Sequence, residues 1–190
     1  FGMGFVNGIC NFFPDFSQSL QYLGNLSGYQ IGGVHSASLG LGNDIQKACY
    51  ARMFGICYES MREIHHALDG FFTANPNGFY LLVGHSRGCI DIWNALVTYH
   101  PFLIKQVLVL GAAPGKFIDQ DYCMDARHLV SSGDLVYLTD PLGYMRCRNT
   151  IQLLEPHPNA NLFDHNFDSP TYRKHIKGRV DQAILQRKFE

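Results

Sequence analysis

The sequence lacks the features of a cross-linked scaffold, a membrane span or a nucleic-acid binder. Its six cysteines, Cys10, Cys49, Cys57, Cys89, Cys123 and Cys147, are scattered, with no C-x-x-C pair and no regular framework. Most fall in apolar segments, where a free thiol acts as a small hydrophobe. That argues against a disulfide scaffold and for a cytoplasmic or other reducing compartment. No apolar run approaches a membrane span, and no basic segment precedes an apolar stretch in the manner of a secretory leader. Charged residues make up 16% of the chain and the net charge is −1. This gives no electrostatic basis for binding nucleic acid or an anionic membrane. There is no H-E-x-x-H and no Cys/His spacing suited to zinc, and no glycine-rich loop has the phosphate-cradling pattern. No metal and no cofactor are expected. A starting methionine is also missing: the chain opens at Phe1 and reads as a piece of a longer protein, with room upstream for a targeting or membrane segment.

What is present is enough apolar material for one well-buried domain: 190 residues, 46% of them hydrophobic. Phe1 to Gly8 reads as a strand ending in a glycine turn, and Phe13-Pro14-Asp15 opens a helical stretch through Leu20 and Leu23. Tyr29 to Ser36 reads as a second strand. Apolar residues at three- and four-residue intervals from Ile45 to Phe71 predict one long amphipathic helix over Asp44 to Phe72. After the elbow described below come a strand over Ile104 to Leu110, a loop from Lys116 to Ala126, and a strand over Arg127 to Ser131. Leu135 to Arg148 has no clear pattern. A last strand over Thr150 to Leu154 and a closing helix from Ser169-Pro170 follow. Helical crossovers between apolar strands predict a mainly parallel α/β sheet of about six strands, with helices on both faces. The basic residues between Arg173 and Lys188 read as a solvated helix face.

The chain is organised around Gly78 to Gly88, GFYLLVGHSRG. The apolar run Phe79 to Val83 reads as a buried strand and leads straight into Gly84-His85-Ser86-Arg87-Gly88, a G-x-S-x-G pattern. Cys89 to Val97 follows as an apolar helix. Strand, sharp turn and helix are the setting in which this pattern lifts a serine hydroxyl above the end of a sheet. The glycines are expected where strand and helix approach too closely for a Cβ. The plainer reading is a Gly-Ser turn that only connects a strand to a helix.

A serine hydroxyl is a weak nucleophile until a base takes its proton, and a histidine base needs a carboxylate to hold its tautomer. Downstream of Ser86 the sequence supplies both on loops that follow strands. Asp134 ends the Ser-Ser-Gly turn after the Arg127 strand, and His165 lies just before the closing helix. Asp140 competes for the acid and His157 for the base. His85 is expected to pack beside the strand, and His65-His66 to lie at the surface or boundary of the long helix.

Gly84 to Gly88, Gly133-Asp134-Leu135-Val136 and Asp164-His165-Asn166-Phe167, in the order Ser, Asp, His, resemble the alpha/beta-hydrolase superfamily, lipases and esterases included. The resemblance covers most of the chain. It implies Ser86 as nucleophile, His165 as general base and then acid, and Asp134 as its orienter. It also implies an oxyanion hole formed by the N–H of Arg87 and one from the turn at Asn7 and Gly8; the H-G-G-G pattern of lipases is absent there. A second resemblance is to a group of chlamydial proteins with a hydrolase-like domain of this size, which implies no substrate. The implied activity is cleavage of an ester or thioester through an acyl-enzyme. Acyl transfer to another acceptor, and a binding module that has lost catalysis, are the alternatives. Only about 15 residues separate the strand after the elbow helix from the Arg127 strand, too few for a large helical lid. The expected partner is therefore a small-molecule or acyl-ester substrate at an open site, rimmed by apolar residues from Phe117 to Met124 and Leu138 to Met145. Nucleic acid is not expected, and this segment indicates no membrane contact.

Overall fold

The computed structural model describes residues 1–7, 13–35, 59–161, 163–186 and 188–189. Six strands form one sheet: β1 (Gly2–Val6), β2 (Gly32–Val34), β3 (Tyr80–His85), β4 (Val107–Ala112), β5 (Asp125–Ser131) and β6 (Ile151–Leu154). Their order is β2-β1-β3-β4-β5-β6 and every neighbouring pair is parallel. The helices among the described residues are α1 (Phe13–Ser27), α2 (Glu59–Ala74), α3 (Arg87–Thr98), α4 (Pro141–Arg146) and α5 (Pro170–Gln186).

Parallel strands need crossovers, and the crossovers cover both faces of the sheet, so its central strands have no solvated side. β3 and β4 are buried at every residue. Side chains alternate across the sheet. Met3, Phe5, Leu81, Val83, Leu108 and Leu110 face a layer built from Phe16 and Leu23 of α1 and Tyr172, Ile176, Val180 and Ala183 of α5. Val6, Leu82, Val107 and Val109 face the opposite layer, which holds Met61, Ile64, Leu68 and Phe72 of α2 and Cys89, Ile92, Ala95 and Leu96 of α3. α3 thus packs on the sheet directly behind the strand that precedes it.

Several boundaries differ from the sequence reading. The strand expected from Ile104 begins at Val107, because Leu103–Gln106 is a 3-10 turn whose Ile104 N–H donates to the His100 carbonyl. β2 is only three residues long. Leu135 to Arg148, patternless in sequence, carries a 3-10 turn at Val136–Thr139 and the short helix α4. The long helix expected over Asp44 to Phe72 is seen as α2 from Glu59; its earlier part, like Cys10, Cys49, Cys57 and Gly8, lies outside the described residues. Among the described residues no lid covers the sheet, and no helix is long and apolar enough to cross a membrane.

Candidate active site

β3 delivers Ser86 into a backbone conformation of φ 54° and ψ −121°. A side chain rarely adopts a positive φ, so the surroundings must hold it there. They do so through the backbone. The Ser86 N–H donates to the Ala112 carbonyl, and the Ser86 carbonyl accepts from Cys89 N at 3.1 Å and Gly115 N at 3.0 Å. The end of β4 and the loop after it therefore clamp the turn, which the sequence reading did not foresee. A Cβ on Gly84 would lie 2.7 Å from Ile92 Cδ1, whereas one on Gly88 would lie 2.2 Å from the Val6 carbonyl oxygen. Gly88 is thus required by the end of β1, not by β3.

The structure brings Ser86, His165 and Asp134 into one hydrogen-bonded chain. His165 Nε2 lies 2.8 Å from Ser86 Oγ, and His165 Nδ1 lies 2.9 Å from Asp134 Oδ2. A carboxylate only accepts, so Nδ1 carries the proton and Nε2 is left to accept from the serine hydroxyl. Asp134 is 1% exposed. Its other oxygen accepts from Val136 N at 2.8 Å, and its own N–H donates to the Ser131 carbonyl. The carboxylate is fixed by the turn at the end of β5 before it meets the imidazole.

The competitors are placed elsewhere. Asp140 caps α4, accepting from Gly143 N and Phe117 N, and pairs with Lys116 at 3.5 Å. His157 is exposed, and its Nδ1 accepts from Asn159 N. His65 Nε2 meets the Ala95 carbonyl at 2.8 Å and His66 is exposed. The Arg87 side chain is buried and turned back along its own helix, with Nη2 3.7 Å from Asp91 Oδ2. Asn7 is fully buried at the end of β1. Gly88 packs against the Val6 and Asn7 carbonyls, which puts the start of α3 against the end of β1.

His85 does more than pack. Its Nε2–H donates to the His165 carbonyl at 2.6 Å, so one residue of the elbow holds the backbone of the residue that meets its neighbour. Burial and the nearby His165 ring push the His85 pKa down to about 3, which keeps it neutral. Sequence pattern places His85 beside Ser86 but gives no sign of a bond to a loop 80 residues away.

A cleft of about 410 Å³ opens beside the imidazole, between Asp15, Gln18 and Tyr22 on α1 and His165, Asn166 and Phe167 on the loop before α5. A larger cavity of about 640 Å³ lies over β2 and α2, and none of Ser86, Asp134 and His165 lines it. No group of side chains suited to a metal ion occurs among the described residues.

No protein-family model matches the sequence, and no curated protein matches it. Solved structures do. Acetyl xylan esterase superposes with a TM-score of 0.55 at 14% identity, over 96% of this chain and 97% of that one. The mouse alpha/beta hydrolase domain-containing protein 10 gives 0.54 at 11% identity, over 98% and 90%. A serine hydrolase without a lid from Xanthomonas campestris gives 0.51 at 11% identity, over 97% and 81%. With its six-stranded parallel sheet and helices on both faces, the chain has the alpha/beta-hydrolase fold.

Proposed function

We propose that this alpha/beta-hydrolase fold carries a serine hydrolase acting on an ester or thioester. One observation carries the reading: Ser86, on a strained turn, donates to His165 Nε2 while Asp134 holds the proton on Nδ1. As Ser86 Oγ attacks the acyl carbon, its proton passes to His165 Nε2, and the carbonyl π electrons move onto oxygen. The ionised Asp134 stabilises the imidazolium so formed without taking its proton. The tetrahedral oxyanion is received by the N–H of Arg87 and a second N–H at Asn7, donors worth a few kcal/mol each when preorganised. Collapse expels the alcohol or thiol, which leaves with the proton from Nε2. Water then repeats the sequence on the acyl-enzyme, giving the acid and free Ser86. Acyl transfer differs only in which acceptor replaces water.

The open setting of His165, 28% exposed at its side chain, suits a small soluble ester or a partner-bound acyl group better than a buried lipid chain. Stopped-flow hydrolysis of a nitrophenyl ester tests the mechanism. An initial burst of nitrophenol stoichiometric with protein is expected, and Ser86→Ala abolishes it. Turnover that survives in Ser86→Ala contradicts the reading.

A further inference from the structure

Asp164, next to His165, is a buried carboxylate that the mechanism above does not use. It is 1% exposed and its backbone sits at φ 39°. Three hydroxyls converge on it: Ser131 Oγ at 2.5 Å and Thr171 Oγ1 at 2.7 Å reach Oδ2, and Ser169 Oγ reaches Oδ1. Each hydroxyl also meets a backbone N–H: Ser131 Oγ takes that of Gly133, Thr171 Oγ1 that of His157, and Ser169 Oγ that of Thr171. An N–H can only donate, so each hydroxyl accepts from the backbone and hands its own proton to Asp164.

The three N–H groups belong to different pieces of chain. Gly133 is in the turn that presents Asp134, His157 follows β6, and Thr171 is in the first turn of α5. We infer that Asp164 is a positioning residue which, through these three hydroxyls, locks the loop bearing His165 to the turn bearing Asp134. The inference rests on the proposed reading of Ser86, His165 and Asp134. Its physical content is one of polarity. A carboxylate accepts from all three hydroxyls at once, whereas the amide of asparagine offers an N–H₂ where a hydroxyl proton already points. At least one hydroxyl must then turn its own proton away from residue 164, and that link of the cage is lost or reversed. His165 is held at its carbonyl by His85 and at its ring by Asp134 and Ser86, so loss of the Asp164 lock loosens the loop that brings the ring to those partners.

The test compares Asp164→Asn, Thr171→Val and Thr171→Ser with the wild type. Two readouts are taken on folded protein: the rate of fluorophosphonate labelling, and the downfield proton NMR signal of His165 Nδ1–H against Asp134, identified by its loss in His165→Ala. Asp164→Asn is expected to slow labelling on the order of a hundredfold, the scale an ångström of misplacement costs, and to shift or broaden the signal. Thr171→Val, close in shape but without the hydroxyl, moves both in the same direction by less. Thr171→Ser restores both. Wild-type labelling and an unmoved signal in Asp164→Asn and Thr171→Val overturn the inference. So does a fall in labelling that only tracks the fraction unfolded. If Asp164→Asn does not fold, the Thr171 pair alone decides. A wild type that never labels, yet whose signal moves in Asp164→Asn and Thr171→Val and returns in Thr171→Ser, sinks the hydrolase reading and leaves the positioning inference standing.

Discussion

At Ser86 the positive φ is maintained by three backbone hydrogen bonds, to the elbow helix, the end of β4 and the loop after it, so the hydroxyl is placed by main chain rather than by its own rotamer. The acid is placed in the same way, by Val136 N and the β5 turn. Only the histidine depends on a loop with no regular structure. The His165–Asp134 bond is therefore the sensitive joint. Asp134→Asn keeps the shape but presents an N–H₂ or a weaker acceptor to Nδ1, and favours the wrong tautomer. Ester hydrolysis is expected to fall on the order of 10³ to 10⁴-fold with the melting temperature little changed. Activity within tenfold of wild type would mean that another group orients the ring. The meeting of these three residues was legible in the sequence through the strand-turn-helix motif and the chain order of the superfamily it resembles, with Asp140 and His157 left as competitors for the acid and the base. The Asp164 cage was not. Its donors stand at positions 131, 169 and 171, and only the folded chain collects them.

β3 and β4 were readable because both their faces are buried, which leaves an unbroken apolar run. Leu135 to Arg148 was not, because no period governs it. Asp140 fixes α4 through its cap and reaches back to Phe117 N, a tertiary bond. The elbow glycines separate two kinds of contact. In Gly84→Ala the new methyl meets the ends of the Ile92 and Cys89 side chains, which can move, whereas in Gly88→Ala it meets the Val6 carbonyl, which cannot. Gly88→Ala is expected to cost about 2 kcal/mol or more and Gly84→Ala about 1 kcal/mol, measured by urea unfolding. Equal costs would mean that β1 yields to the elbow helix.

For the molecule as a whole, two buried histidines contribute to the response to acid. Burial holds the pKa of both His85 and His128 down to about 3, against about 6.5 in an unfolded chain. His128 is locked neutral, its Nε2 accepting from Ile118 N and its Nδ1–H directed at Thr150 Oγ1. Between these two pKa values the unfolded state binds the extra proton, so stability rises with pH in that window and is lost as pH falls from about 6.5 toward 3, on the order of 1 kcal/mol per pH unit for each histidine. His128→Gln removes one of these groups and is expected to flatten the acid limb of the urea midpoint against pH. An unchanged limb would show that the carboxylates alone govern it.

Labelling by a fluorophosphonate probe reads out whether Ser86 is activated. A covalent adduct is expected on wild-type protein, mapped by mass spectrometry to the peptide holding Ser86. No adduct is expected in Ser86→Ala, and a rate near background in His165→Ala. Folded wild type that stays unlabelled, or a His165→Ala variant that labels as fast as wild type, would contradict that activation.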